Sequence, residues 1–289
     1  MPLVPNLAAR PSFRIPIAAA LIALLAPLAP APAHAQMVVP DSFTNLKVLP
    51  KNITKPQLLG TMRSFALGLG VRCDFCHARA DSTPGAAERA PAGAPGAPGA
   101  AARPGGPGGA PERLNFASDT KEEKRIARGM LRMVRGINAD YLAKIAELKD
   151  SSRVEVRCVT CHHGVAMPRP LTDILAQDVT EKSAAAAVIH YRQLKTQYYG
   201  SAAYDFREFT LEELARQLQQ GGKGDDALVI LDLAAEEFPQ SGVVPFLQGE
   251  TLLQKGDRTG ALARYRRALE LQPQNEAARR RVTELQGGS

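Results

Sequence analysis

The chain has 289 residues, enough for two ordinary domains, and its 45% apolar content is that of a globular protein. The formal charge of +7 favours solubility and acidic partners or an anionic surface, but no concentrated basic stripe is present, which excludes nucleic-acid binding as a function class. Many of the 22 prolines and 24 glycines sit in one stretch, so their excess is local.

Residues 1–35 read as a secretory signal peptide. Arg10 and Arg14 form its positive region, Ile15 to Ala29 its apolar run, and Ala33-His34-Ala35 its cleavage site, so the mature chain is expected to begin at Gln36. The apolar run is short and interrupted by proline, which disfavours a membrane span, with an uncleaved N-terminal anchor as the alternative. Residues 36–53 read as an extended arm. A helix follows over 54–69: Thr54 is placed to cap it with Gln57 three residues on, Pro56 is tolerated in its first turn, and Leu58, Leu59, Met62, Phe65, Ala66 and Leu69 recur at helical spacing. Gly68 and Gly70 end it just before Cys73-Asp74-Phe75-Cys76-His77.

Residues 81–113 are dominated by Ala, Pro and Gly, hold nothing that could build a core, and are expected to be a disordered insertion. The clearest long helix is expected over 119–149, capped by Asp119 or Thr120 with Glu122 and Glu123 behind. Its apolar face runs Ile126, Met130, Met133, Val134, Ile137, Tyr141, Leu142, Ile145, Leu148, and charged residues occupy the other side. A short extended piece leads into Cys158-Val159-Thr160-Cys161-His162, and residues 171–199 read as a helix pair or one broken helix. From about 204 the chain repeats. Ala227 and Ala261, Leu228 and Leu262, and Pro239 and Pro273 each stand 34 residues apart, a pattern that resembles tetratricopeptide repeats.

The two pentapeptides both read C-x-x-C-H, the attachment signature of a c-type haem, and they use all four cysteines. Two thiols one helical turn apart add to the two vinyl groups of one haem as thioethers, and the next residue supplies the proximal imidazole. One zinc on four thiolates is the competing reading, but zinc ribbons separate their pairs by about 15–20 residues, far less than the distance from Cys76 to Cys158. Two disulfides would suit an exported chain. Neither alternative explains a histidine after both pairs. The expectation is therefore two covalently attached haem c groups held by Cys73 and Cys76 and by Cys158 and Cys161, with His77 and His162 as axial ligands.

The second axial position is open on spacing alone. Met62, Met130 and Met133 precede the two motifs on apolar helix faces, where methionine serves equally as core filler. A methionine ligand suits electron transfer, and an open position suits ligand binding or peroxide chemistry. His163 should point away from the iron that His162 faces, and His190 has no spacing that marks it as a ligand.

Several stretches resemble the cytochrome c subunit of photosynthetic reaction centres: Leu46 to Pro50, Leu59 to Phe65, Leu69 to Cys73, Phe116 to Asp119, Lys124-Arg125, Met130 to Met133 and Ile137-Asn138. The similarity covers roughly residues 40–170. In that family each haem unit is a helix with a Met ligand, a turn, and a second helix that opens with C-x-x-C-H. The resemblance thus implies that Met62 pairs with His77 and Met133 with His162, with Met130 the alternate. The reaction-centre subunit carries four haems; two motifs and a repeat tail align this chain with shorter dihaem members, whose electron partners the family does not define.

The expected fold is mainly α: a dihaem cytochrome c domain over 36–200, with little regular structure beyond helices, then a tetratricopeptide-like hairpin array over 204–289. The expected function is an exported or periplasmic dihaem cytochrome, not an enzyme. It would pass single electrons between redox proteins, with the repeats as a docking surface for a protein partner and a membrane-associated electron-transfer complex as one setting. A dihaem peroxidase, and a repeat scaffold with a structural haem domain, are the alternatives.

Overall fold

The computed structural model describes residues 39–80, 113–148 and 154–287. The chain divides into Met1–Ala35 and Gln36–Ser289, and every described residue belongs to the second unit. The leader expected over 1–35 and the insertion expected over 81–113, apart from Arg113, lie outside the described residues.

The described chain is mainly α-helical, with one two-stranded sheet. Residues 39–53 run as bends and turns tied to the first helix by Lys55, whose Nζ donates to Val39 O at 2.9 Å and to Asp41 Oδ1 at 2.6 Å. Helix α1, Lys55–Leu69, begins where Thr54 and Gln57 foresaw it, with the Thr54 amide donating to Gln57 Oε1 at 3.0 Å. It ends on Gly70 in the left-handed conformation, φ 66°, while the Val71 amide returns to Ala66 O at 3.0 Å. The one-turn helix α2, Cys73–Cys76, follows three residues later. Strands β1, Ala78–Arg79, and β2, Leu114–Asn115, then pair antiparallel.

The next helix is shorter than the sequence suggests. Helix α3 spans Glu122–Gly136, and the chain continues as a π-helical turn over Ile137–Tyr141 and two 3-10 turns, Leu142–Lys144 and Ala146–Leu148. Lys121, not Asp119 or Thr120, stands at its N-cap. The break has a local cause. Asn138 uses its whole amide on the Val156 backbone, Nδ2 to O and Oδ1 from N, both at 2.9 Å, which draws this turn against the segment entering helix α4, Cys158–His162.

From Pro170 onward seven helices follow: α5 Leu171–Glu181, α6 Ala184–Tyr198, α7 Glu208–Gln220, α8 Gly224–Glu237, α9 Val243–Gln254, α10 Arg258–Leu271 and α11 Glu276–Gly287. Residues 171–199 are thus a helix pair, split at Ser183, whose Oγ accepts from the Ala186 amide. Neighbouring helices pack in chain order from α7 to α11, and α5 and α6 also touch α7 and α8. One core runs from Leu171 through Tyr191, Leu214 and Ile230 to Leu247, on both sides of the boundary expected between 200 and 204. Positions 34 residues apart play matching parts. Ala227 and Ala261 are fully buried, as are Ala234 and Ala268, while Gly222 and Gly256 both turn the chain with positive φ. Gly249 is needed where α9 meets α10, because a Cβ there would lie 2.6 Å from the Tyr265 ring. A bidentate Arg281–Glu250 pair at 2.7 and 2.8 Å, joined by the Tyr265 hydroxyl at 2.6 Å, ties α11 to α9 and α10. No helix among the described residues is long and apolar enough to cross a membrane.

Candidate haem sites

Each C-x-x-C-H pentapeptide occupies a short helix. Cys73 and Cys76 bound α2, and the His77 amide closes its turn on Cys73 O at 3.0 Å. Cys158, Cys161 and His162 lie in α4, which His163 ends in the left-handed conformation with φ 48°. One turn puts the paired thiols on the same side. None of the four cysteines forms a disulfide, and among the described residues no three or more His, Cys, Asp or Glu side chains gather as a metal site. The two C-x-x-C pairs therefore do not converge on one shared ion. Burial raises the Cys76 thiol, with the Glu123 carboxylate adding to it, and burial raises the Cys158 thiol.

The motifs are joined in a crossed manner. Helix α1, which leads into α2, packs on α4, and α3, which leads toward α4, packs on α2. At the first contact Gly68 is buried against Cys158 and Val159, and its carbonyl accepts from the Gly164 amide at 3.0 Å. Gly70 is required here twice over: its φ is positive, and a Cβ would fall 1.9 Å from Gly164 O.

The two histidines differ. His162 is buried, and its Nδ1 lies 2.9 Å from Val165 O. A carbonyl only accepts, so Nδ1 is the donor here and Nε2 is the nitrogen left to face an iron. His77 packs edge-on against Phe116 at 4.9 Å, and its buried Nδ1 has no hydrogen-bond partner. Burial, then Lys124 and Arg128, push its pKa down to about 4, so it is a neutral imidazole near pH 7.

Those two cations stand on the side of α3 expected to be solvated. Lys124 is the buried residue of that helix, its ammonium donating to Phe116 O at 2.8 Å and Ser118 O at 2.6 Å. Asp119 gathers Lys47 at 2.5 Å, Arg128 at 2.8 Å and Lys124 at 3.4 Å, with Asn45 donating at 2.8 Å. The Lys47 bond above all, against the opposing effect of burial and with help from Arg128 and Asn45, holds its carboxyl well below the usual range. Ile126, Met130 and Met133, on the face expected to be core, are instead exposed, Met130 to 36% and Met133 to 48%. Met62 is half-buried on α1. His190 lies apart, its Nδ1 2.5 Å from Asp178 Oδ2 between α5 and α6. Asn138 and Lys124 are the site-building residues that chemistry-bearing motifs alone did not single out; apart from Asp119, their partners are backbone carbonyls and an amide, which leave no trace in side-chain patterning.

These residues fit a covalently attached haem: two thiol pairs on single turns, and two histidines whose Nδ1 atoms are enclosed, that of His162 on a backbone carbonyl. Comparison with known proteins agrees in part. Residues 109–228 match a family model described as photosynthetic reaction centre cytochrome C subunit. The match takes in α3, the Asn138 turn, the second motif and the helices from α5 into α8, and it leaves out the first motif. It links this stretch to a cytochrome-c-related, electron-transfer class. No curated protein matches the chain.

Proposed function

We propose that the protein is an exported dihaem c-type cytochrome that passes single electrons between redox partners, with its C-terminal helices forming a tetratricopeptide-like docking surface. The observation that supports this most is that each C-x-x-C-H pentapeptide opens with a short helix and places its histidine away from solvent, His162 buried with Nδ1 on the Val165 carbonyl and His77 half-buried with its Nδ1 enclosed. Bound haem supplies a one-electron iron couple. The chain's residues do the rest. Cys73 and Cys76, and Cys158 and Cys161, would anchor the ring through thioethers, and His77 and His162 would hold the iron. The Val165 carbonyl holds the second imidazole in its tautomer. Ile126, Met130, Met133 and Val159 are exposed apolar groups on α3 and α4, available to pack on a bound ring.

For the sixth ligands, the family resemblance assigns Met62 to the iron of His77 and Met133, or Met130, to that of His162. The crossed packing of α1 on α4 and α3 on α2 favours the exchanged assignment as a second reading. Optical and EPR titration of haem-loaded protein with Met62→His and Met133→His variants tests both. Two low-spin irons, each shifted to lower potential by one variant, support the electron carrier and identify the pairs. A high-spin iron that binds small ligands in the resting protein overturns the carrier reading in favour of an enzyme. The docking role fails if partner capture is equally strong without residues 204–289.

A further inference from the structure

The two candidate haem sites are alike in sequence and unlike in surroundings. Behind His162 a backbone carbonyl accepts the Nδ1 proton at 2.9 Å. A hydrogen bond there pushes electron density into the imidazole and stabilises the more positive, oxidised iron. Behind His77 there is no acceptor; Nδ1 is buried, and the ring edge meets Phe116. This histidine is the poorer donor.

Charge acts in the same direction. Lys124 donates to the carbonyl of Phe116, whose ring packs on His77, and its side chain and that of Arg128 are only 10% and 13% exposed, so solvent screens them weakly. They share the single carboxylate of Asp119 with Lys47, three cations on one anion. The surplus is positive, and it disfavours the ferric state. Glu123 and Lys121 oppose one another near Cys76 and leave that surplus in place. At the second motif the adjacent Arg157 is solvent-exposed and already paired with Glu155 through two bonds, at 2.9 and 3.1 Å.

We propose that the two haems are held at different potentials, the Cys73/Cys76 haem being the more oxidising, and that Lys124, Arg128 and Asp119 are positioning residues that set this gap. Electrons then collect on the first haem and enter through the second. The proposal rests on the dihaem reading above. It names a direction of flow within the chain that neither the motifs nor the family match contains.

The test is an optical redox titration of the haem-loaded full chain. A Cys76→Ser variant leaves the first haem with one thioether, shifts its absorption band, and so labels its signal. The labelled haem should be reduced first. Arg128→Gln should lower that couple by about tenfold in its oxidised-to-reduced equilibrium, or 59 mV for a one-electron couple, with the other haem unmoved. Asp119→Asn should shift the same couple upward, a sign that general loosening of the fold would not produce. If the two couples coincide, if the labelled haem is reduced last, or if the charge variants move both haems together, the proposal is overturned while the dihaem reading stands. If the purified chain gains no covalent haem by mass, both fall.

Discussion

The residues before Pro170 and those after it solve the problem of folding by different means. Among the described residues, only Leu58 and Val165 supply buried apolar side chains before Leu171, whereas α5 to α9 enclose a continuous core of leucine, isoleucine, alanine and tyrosine, and α10 and α11 add buried Ala261, Tyr265, Ala268 and Ala278. The first region is held by polar links instead: the Asp119 cation cluster, the Asn138 clamp on Val156, and the glycine contact between α1 and α4. Such links specify geometry, but each contributes little net free energy, about 1 kcal/mol for a typical hydrogen bond. A segment of this size with so small a core of its own needs another apolar component to bury, and the haem proposed at each motif would provide one.

The sharpest way to break that comparison is to withhold the haems. A full-length variant with all four cysteines changed to serine should lose protease protection across residues 39–80, 113–148 and 154–165 while α5 to α11 stay intact. The measurement is limited proteolysis with mass mapping of the fragments. Equal protection of both regions in that variant would show that the polar links suffice.

The next largest effect belongs to the helical stack. Leu214→Ala removes a fully buried side chain from its core and should destabilise it by about 2–5 kcal/mol in chemical denaturation followed by helix content. The haem absorption spectrum in native buffer should not change. A variant that altered the haem signal as strongly as the helical one would mean that the two regions unfold as one unit.

Gly70→Ala probes the joint between the motifs. The left-handed backbone alone costs an alanine about 1–2 kcal/mol, and the contact with Gly164 O adds to it. The loss should appear in the unfolding of the haem region, read from haem absorbance, with the helical stack unaffected. An unchanged haem transition would remove the joint from the account.

How much of this was legible in the sequence follows the same division. Helix α1 could be read to the residue because its signals are local: a Thr-x-x-Gln cap, a helical apolar stripe, a terminal glycine. The thiols and histidines could be read because attachment chemistry demands their spacing. The 34-residue offsets led to matching buried alanines because the stack is built from neighbour contacts. Helix α3 was misread in its end, and Lys124, expected on its solvated side, is buried. Apolar periodicity marks a face that something must cover, not what covers it, and here the polypeptide turns Lys124 inward instead. The groups that hold it there are the carbonyls of Phe116 and Ser118 and the carboxylate of Asp119, and two of these three are backbone atoms that side-chain patterning does not register. Likewise Asn138 ends the helix through a backbone partner 18 residues away, which no local pattern announces.

The smallest predicted effect separates the regions by pH. Asp178, between α5 and α6, accepts from Lys182 at 2.8 Å and from His190 at 2.5 Å. Burial alone would raise its pKa, but these two bonds outweigh it and hold the carboxyl below its ordinary value of 3.8. A carboxyl with a depressed folded pKa stabilises the fold at pH values above the unfolded pKa, and that contribution is lost as pH falls through the folded one. The melting temperature of the helical stack should therefore drop below about pH 4 more steeply in the native chain than in Asp178→Asn, which is less stable at pH 7 and flatter in acid. Parallel acid profiles for the two proteins would rule out Asp178 as the titrating group. The comparison is made on α5 to α11 by helix content, because the Asp119 cluster, with its own depressed carboxyl, imposes an acid dependence on the haem region that must not be counted as part of the stack.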